Sequence, residues 1–167
     1  MRLNSATLTD IPVIQQIAYE TWPIAYGEIL SNEQLVYMLN LIYSDAALTY
    51  KINQKDEKYY IAKDENDSVL GFFSIEHNFE LEQKSKIHKI YILPENQGKG
   101  IGKLVLEEAI GLAKLQKQES VVLNVNRFNK ALYFYQKMGF EIIQTIDIEI
   151  GDGYLMEDFI LQLKITN

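Results

Sequence analysis

The stretch from Ile87 to Lys103 constrains this chain most, because an apolar run passes directly into three closely spaced glycines. The run Ile87–Leu93 is largely β-branched and aromatic, which favours a strand, and Pro94 ends it because proline has no N–H for a neighbouring strand. Every second residue from Gly98 to Gly102 is then glycine, ahead of an apolar helical pattern. The first N–H groups of such a helix are unpaired, and its dipole is positive there. The sequence therefore predicts a strand, a turn and an anion site suited to a phosphate or pyrophosphate.

Two common glycine-rich phosphate motifs do not fit this stretch. The phosphate loop of nucleotide hydrolases needs a glycine where Gln97 stands and a Ser or Thr where Leu104 stands. The dinucleotide-binding fingerprint needs a third glycine where Lys103 stands. With both motifs excluded, a plain tight turn before a helix is the simplest alternative to a cofactor loop.

The segment Gln-Gly-Lys-Gly-Ile-Gly at 97–102 resembles the Gln/Arg-x-x-Gly-x-Gly/Ala signature of the GCN5-related N-acetyltransferases. The segment 129–140 resembles a later part of that family, in which Asn, Ala, Tyr, Lys and a closing Gly-Phe follow in this order. The resemblance implies that the loop binds the pyrophosphate of coenzyme A and that acetyl-CoA is the cosubstrate. The residues that it assigns to cofactor binding are Tyr91, Ile92, Gln97, Gly98, Lys99, Gly100, Ile101, Gly102, Lys103, Asn129 and Lys137. Asn129 acting only as a helix cap, and Lys137 only as a solvated lysine, are the alternatives.

The order of hydrophobic patterns predicts an α/β chain with a strand, two helices, three strands, a helix, a strand, a helix and two strands. Pro23 and Gly27 are expected to break the first helical pattern, and Ser31 with Gln34 forms a capping box that begins the second helix. A length of 167 residues suits one domain, 1–167. The resemblance makes the predicted fold more specific: it is that of the GCN5-related N-acetyltransferases (GNAT), a mixed and mostly antiparallel sheet of about seven strands with four helices. In that fold the fourth and fifth strands run parallel and splay into a cofactor cleft.

Composition removes several other classes of function. The chain has no Cys, which excludes disulfides, zinc thiolate sites and a cysteine nucleophile. His77 and His88 are the only histidines, and they do not form a His-x-x-x-His pair, so we expect no metal cofactor. The net charge of -7 argues against nucleic-acid binding. No signal peptide is recognisable, and no apolar stretch reaches the ~18 residues of a membrane span. We therefore expect a cytoplasmic protein with neither nucleic-acid nor membrane partners.

Acetyl transfer to an amine requires a polarised thioester carbonyl, a proton donor for the departing thiolate and a proton acceptor for the amine. By motif position, the resemblance implies that the backbone N–H of Ile92 polarises the carbonyl, and that Tyr135 protonates the thiolate. Relatives place a Glu near the position of Ser85 or Lys86 as the base, and this chain departs from that pattern. Glu76, acting through water, is our candidate, and a plain surface carboxylate is the alternative. Direct attack in a ternary complex agrees with the absence of Cys.

The resemblance implies that the first two helices and the connection between them form one wall of the acceptor pocket. This region is rich in aromatic residues. The resemblance implies that Tyr26, Glu28 and Tyr37 contact a small-molecule amine. The alternative is that the aromatic rings of this region pack in the hydrophobic core. The run Trp-Pro-x-x-Tyr-Gly at 22–27 looks like the PaiA-like polyamine acetyltransferases. A peptide or protein N-terminal acceptor, and a non-catalytic acyl-CoA-binding module, stay open as alternatives. Dimers are frequent in the family, so a homodimer is one expected assembly.

Overall fold

The computed structural model describes residues 1–165, which form seven strands and five α-helices. The strands are β1 Arg2–Ser5, β2 Glu57–Lys63, β3 Val69–Glu76, β4 Lys84–Ile92, β5 Ser120–Asn126, β6 Glu141–Glu149 and β7 Leu155–Lys164. The helices are α1 Ile11–Tyr26, α2 Asn32–Tyr43, α3 Asp45–Asn53, α4 Ile101–Leu115 and α5 Ala131–Lys137. Short 3-10 turns precede α1, β4 and the glycine loop.

All seven strands form one sheet in the order β1-β2-β3-β4-β5-β7-β6. Every neighbouring pair is antiparallel except β4 and β5, which run parallel. A parallel pair needs a crossover connection, and α4 supplies it. The predicted fold class, a mixed and mostly antiparallel α/β sheet of the GNAT type, is confirmed.

Helices cover both faces of the sheet, so two hydrophobic cores share it. Neighbouring residues on one strand point to opposite faces, and the buried pair Phe72 and Phe73 of β3 divides in this way. Phe73 packs in the core under α4 and α5, which includes Val105 and Leu106. Phe72 packs in the core under α1, α2 and α3, which includes Trp22. The central strands therefore sit between two layers, and their ends are free to carry a site.

Two local predictions differ from the structure. The count of four helices is too low, because α3 has only a weak amphipathic pattern and a single fully buried residue, Leu48. Of the two expected breaks in the first helix, Pro23 lies inside α1 and does not end it, whereas Gly27 follows its last residue. A proline so close to the helix end removes one backbone hydrogen bond without preventing the last turn.

The predicted capping box at the start of α2 forms only in part. Ser31 accepts a hydrogen bond from the backbone N–H of Gln34 at 3.1 Å, as a helix cap does. The Gln34 side chain instead donates to the carbonyl of Leu155 at 2.9 Å, so it ties α2 to β7.

Candidate active site

The parallel strands β4 and β5 separate at the middle of the sheet. Their pairing runs from Lys84 with Ser120 to Ile87 with Leu123 and does not continue. Beyond that point β4 stays paired with β3, and β5 stays paired with β7. The two strands therefore open a gap whose walls carry backbone groups without a strand partner.

Ile92 presents one of these free backbone groups. Its neighbour Leu93 donates its N–H to Leu70 of β3 at 2.9 Å. Because N–H groups alternate sides along a strand, the N–H of Ile92 points away from β3, towards the gap. The Ile92 carbonyl points to the same side, where it accepts a hydrogen bond from Gln97 Nε2 at 2.9 Å. This geometry leaves the Ile92 N–H available to a bound carbonyl oxygen.

The glycine loop lies at the end of this gap. Gly98 and Gly100 have φ angles of 73° and 80°, which L side chains rarely adopt, and Gly100 is the N-cap of α4. A Cβ at either position would meet no atom within 4 Å, so both backbones face open space. The N-terminus of α4 follows directly, with its unpaired N–H groups. The loop therefore presents bare backbone donors, as an anion site requires.

A cavity of about 690 Å³ occupies the gap between the glycine loop, β4, β5, α1 and α5. Among the predicted cofactor residues it is lined by Tyr91, Ile92, Gln97, Gly98, Gly100, Gly102, Lys103 and Asn129. Lys99, Ile101 and Lys137 are not among its lining residues, and Lys137 is exposed at the end of α5. The volume is within the range of small-molecule sites.

Tyr135 and Asn129 enter the larger cavity from the segment around α5. The Tyr135 side chain is buried, packs edge-on against Phe134 and Phe140, and lines the cavity. Burial raises the pKa of Tyr135 above its usual value, so the hydroxyl keeps its proton near neutral pH. Asn129 Oδ1 accepts a hydrogen bond from the N–H of Ala131 at 2.8 Å. Asn129 therefore holds the first residue of α5, one position before the N-cap Lys130, and also lines the cavity.

A second cavity of about 490 Å³ lies between the sheet and α1, α2 and α3. Aromatic side chains form much of its wall, namely Trp22, Tyr26, Tyr43, Tyr50 and Tyr91. The two cavities share the residues Tyr26, Tyr91 and Asn124. The smaller cavity thus meets the larger one at the middle of the β4–β5 gap.

Glu76, the predicted base, contacts a histidine that lines the smaller cavity. Its Oε2 lies 2.8 Å from Nε2 of His88, and Glu76 itself lines neither cavity. His88 is the extra residue in a β-bulge where the register of β3 and β4 shifts. Burial lowers the pKa of His88 despite the opposing effects of Glu57 and Glu76, so its imidazole is neutral near pH 7.

Beside the smaller cavity, Glu57 is a buried carboxylate with three partners. Its Oε1 accepts hydrogen bonds from Ser74 and Lys89, both at 2.7 Å, and Lys51 Nζ lies 3.4 Å from Oε2. Burial alone would raise the pKa of Glu57, but the charges of Lys89 and His88 and the two hydrogen bonds lower it to about 2. Lys51 and Lys89, which line the cavity, therefore share one buried carboxylate as their counter-charge.

The predicted acceptor residues separate in the structure. Tyr26 lines both cavities, while Glu28 lies at the rim of the larger one, with 88% of its side chain exposed and 3.5 Å from Lys130. Tyr37 lines neither cavity and donates to the carbonyl of Ile150 at 3.0 Å, which holds the β6–β7 turn.

Apart from its tyrosines, the polar residues of the smaller cavity were assigned no role from the sequence; they are Lys51, His88, Lys89, Asn124, Asn126 and Asp158. The sequence contains weak signs of these residues, because polar side chains interrupt two apolar strands. Asn124 and Asn126 share one face of the apolar strand β5, and Asp158 interrupts the apolar run of β7. A polar residue on a buried strand face needs a partner or a ligand.

A parallel strand pair that splays beside a glycine-rich helix N-terminus, with a second pocket meeting the gap, defines the acyltransferase class of fold. A family model described as an acetyltransferase (GNAT) domain matches residues 55–142. The chain belongs to the GNAT family of N-acetyltransferases, and the predicted enzyme class is confirmed.

Several relatives resemble nearly the whole chain. The spermidine N(1)-acetyltransferase of Thermoplasma acidophilum is 25% identical over 171 residues, which cover 98% of this chain and 97% of that protein. The crystal structure of the PaiA N-acetyltransferase of the same organism, in complex with coenzyme A, has a TM-score of 0.80 and 26% identity. It covers 99% of this chain and 100% of its own. An uncharacterised N-acetyltransferase of Bacillus subtilis, YuaI, is 27% identical over 158 residues, or 93% of this chain and 88% of its own.

Within residues 1–165, none of the helices is long and apolar enough to cross a membrane. No group of three or more His, Asp and Glu side chains in that range could hold a metal ion.

Proposed function

We propose that this enzyme transfers an acetyl group from acetyl-CoA to a primary amine of a small molecule, by direct attack in a ternary complex. The observation that carries this proposal is the meeting of two cavities at Tyr26, Tyr91 and Asn124. A two-substrate transfer without a covalent enzyme intermediate needs both substrates in contact, and the junction provides that contact.

The larger cavity would hold the cofactor. The loop around Gly98 and Gly100 offers backbone N–H groups, and the positive end of α4 favours the negative pyrophosphate. Lys103 at the cavity wall adds a positive charge. The pantetheine arm would then run along the β4–β5 gap towards the smaller cavity. The coenzyme A complex of the Thermoplasma PaiA protein supports this choice of ligand.

The chemical roles follow from position in the gap. The free N–H of Ile92 would donate to the thioester oxygen as it gains negative charge, which can stabilise the transition state by about 3 kcal/mol. The amine nitrogen then forms a bond to the carbonyl carbon, and the carbon–sulfur bond breaks. Tyr135, which lines the same cavity and keeps its proton, would protonate the departing thiolate.

The proton of the amine would pass to His88, with Glu76 acting through this histidine rather than directly. The neutral imidazole lines the acceptor cavity, and the carboxylate at its Nε2 fixes the ring and makes it more basic. Replacing Glu76 with Gln removes this effect and lowers the pKa of His88. The acidic limb of the pH–rate profile should therefore move to lower pH in Glu76→Gln, and an unmoved limb would exclude Glu76 from proton transfer.

The dimensions of the smaller cavity favour a small acceptor. A volume of about 490 Å³ with aromatic walls suits an alkylamine or a short polyamine. The spermidine N(1)-acetyltransferase of Thermoplasma acidophilum, similar over almost the whole chain, supports a polyamine.

Release of free thiol from acetyl-CoA in the presence of an amine panel tests the proposal. The panel holds spermidine, 1,3-diaminopropane, glucosamine and a peptide with a free N-terminal alanine. We expect turnover with at least one of the three small amines. Turnover with the peptide alone would favour a peptide N-terminal acetyltransferase. Binding of coenzyme A without turnover on any amine would favour a non-catalytic module and overturn the proposal.

A further inference from the structure

A carboxylate on the wall of the smaller cavity has no role in the chemistry described above. Asp158 of β7 is only 6% exposed and lies directly opposite Asn126 of β5 in the sheet register. Opposed side chains in an antiparallel pair share one face of the sheet, and Asn124, two residues along β5, shares it as well. All three residues line the smaller cavity.

Two acceptor oxygens in this group lack a donor. Asn124 donates from Nδ2 to Oδ2 of Asp158 at 3.3 Å. Oδ1 of Asn124 and Oδ1 of Asp158 are both buried and have no hydrogen-bond partner within residues 1–165. Leaving a buried polar group unpaired costs about 1–3 kcal/mol, so native structures leave few of them. Two such acceptors side by side indicate a ligand that brings N–H or O–H donors.

The unpartnered carboxylate of the cavity suits a cationic ligand. The two lysines of the cavity share the single carboxylate of Glu57, and His88 is hydrogen-bonded to Glu76. Asp158 is the one carboxylate among the lining residues, and it takes part in no salt bridge in the described part of the chain. Burial raises the pKa of Asp158, and it outweighs the lowering by the hydrogen bond from Asn124 and by the charges of Lys86 and Arg127.

The aromatic residues of the cavity also suit a cation. Trp22, Tyr26 and Tyr43 supply ring faces among its lining residues, and a cation within about 6 Å of such a ring is attracted to it. Asp158 lies close enough to Tyr26 for its charge to contribute, after burial, to the raised pKa of that phenol. Asn124, the hydrogen-bond partner of Asp158, belongs to the junction with the cofactor cavity.

We propose that Asp158 binds the acceptor amine in its ammonium form at this junction, so that the enzyme selects amines that arrive as cations. Asn124 orients the carboxylate and offers its own free oxygen to a second N–H of the ammonium. The ammonium passes one proton to His88 before its nitrogen attacks, and the second proton that the nitrogen loses replaces the one that Tyr135 gives to the thiolate. The inference rests on the proposed acetyl transfer and assigns the specificity of the acceptor site to one residue.

The test compares two primary amines of similar size at pH 7.5. Phenethylamine is protonated at this pH, whereas 4-methylaniline is uncharged. In Asp158→Asn we expect KM for phenethylamine to rise at least about tenfold, since a charged hydrogen-bonded pair is lost, while KM for 4-methylaniline stays within about twofold. Asp158→Glu, which keeps the negative charge, should have a KM for phenethylamine between those of the wild type and Asp158→Asn. Glu157→Gln, a neighbouring acid paired with Arg127 outside the cavity, should change neither value.

Calorimetric binding of phenethylamine to the coenzyme A complex supplies a second readout that does not need turnover. If the wild type acetylates no amine but binds phenethylamine more tightly than Asp158→Asn does, acetyl transfer is wrong and the ammonium site stands. If both amines respond equally to Asp158→Asn, or neither responds, the ammonium site is wrong while acetyl transfer stands. A coenzyme A-induced rise in melting temperature equal to that of the wild type verifies that Asp158→Asn is folded.

Discussion

At the residue scale, Tyr135 is set apart from its neighbours by where its ring lies. It is buried, lines the larger cavity and retains its proton, whereas Tyr133 on the same helix is 69% exposed. The resemblance of the segment 129–140 to the family assigned the tyrosine role to position 135, and the structure places that side chain at the cavity.

We predict that Tyr135→Phe lowers kcat at least about tenfold, because the thiolate then departs without a proton donor. The affinity for coenzyme A should change little, because the ring and its packing against Phe134 and Phe140 are kept. Steady-state kinetics and coenzyme A titration measure the two effects. Tyr133→Phe is the matched control and should behave as the wild type. An unchanged kcat in Tyr135→Phe would remove this hydroxyl from the mechanism.

At the scale of elements, the turn from β4 into α4 depends on a backbone conformation that only glycine adopts easily. Gly100 combines a φ of 80° with open space at its Cβ position, and it lines the cofactor cavity. Gly111, in the middle of α4, also has open space at its Cβ position but has no positive φ. The two glycines therefore separate the backbone effect from the mere addition of a methyl group.

Gly100→Ala should lower stability by about 1–2 kcal/mol through left-handed strain, and its methyl group should occupy space in the cofactor cavity. Gly111→Ala should raise stability by about 0.5–1 kcal/mol, because alanine favours a helix interior. Thermal unfolding with and without coenzyme A measures both effects. We expect the rise in melting temperature on adding coenzyme A to shrink in Gly100→Ala and to persist in Gly111→Ala. Equal rises in both variants would contradict cofactor binding at this loop.

The elements differ in how far the sequence could predict them. The strand and glycine loop from Ile87 to Gly102 were predictable, because local pattern and family resemblance agree there. Helix α3 was not, because its residues have almost no amphipathic pattern and its position depends on packing against the sheet. The β-bulge that turns His88 towards the smaller cavity depends on strand register, which no local pattern encodes.

The smaller cavity was the least predictable part for the same reason. Asn124, Asp158 and Tyr26 come from three elements distant in the chain, and their proximity exists only once the sheet order is known. A polar residue within a strand can be seen in the sequence, but its partner across the sheet cannot.

At the scale of the whole molecule, the layer of α1 to α3 is tied to the sheet by charge as well as by its core. Glu57 of β2 contacts Lys51 of α3, Ser74 of β3 and Lys89 of β4, so one carboxylate links four elements. Its position beside the smaller cavity means that the wall of this cavity and the stability of the fold depend on the same ion pairs. A change in the charge of Glu57 should therefore affect global unfolding.

We predict that Glu57 makes the protein sensitive to acid between pH 4.5 and about 2. The folded-state pKa of about 2 lies below the ordinary value of 4.5, so the unfolded chain binds the proton first as the pH falls. The stabilisation is complete above pH 4.5, amounts to roughly 3 kcal/mol at about 1.4 kcal/mol per pH unit, and is lost as the pH approaches 2. Glu57→Gln should remove it at every pH and leave Lys89 buried without a counter-charge.

Urea unfolding at pH 7 and at pH 3 measures this linkage. The difference in unfolding free energy between the wild type and Glu57→Gln should be largest at pH 7 and smaller at pH 3, since the wild type has by then lost part of the stabilisation. Glu65→Gln, an exposed acid on the β2–β3 turn, should stay within about 0.5 kcal/mol of the wild type at both pH values. A difference between wild type and Glu57→Gln that does not depend on pH would mean that the carboxylate stabilises the fold by packing rather than by its charge.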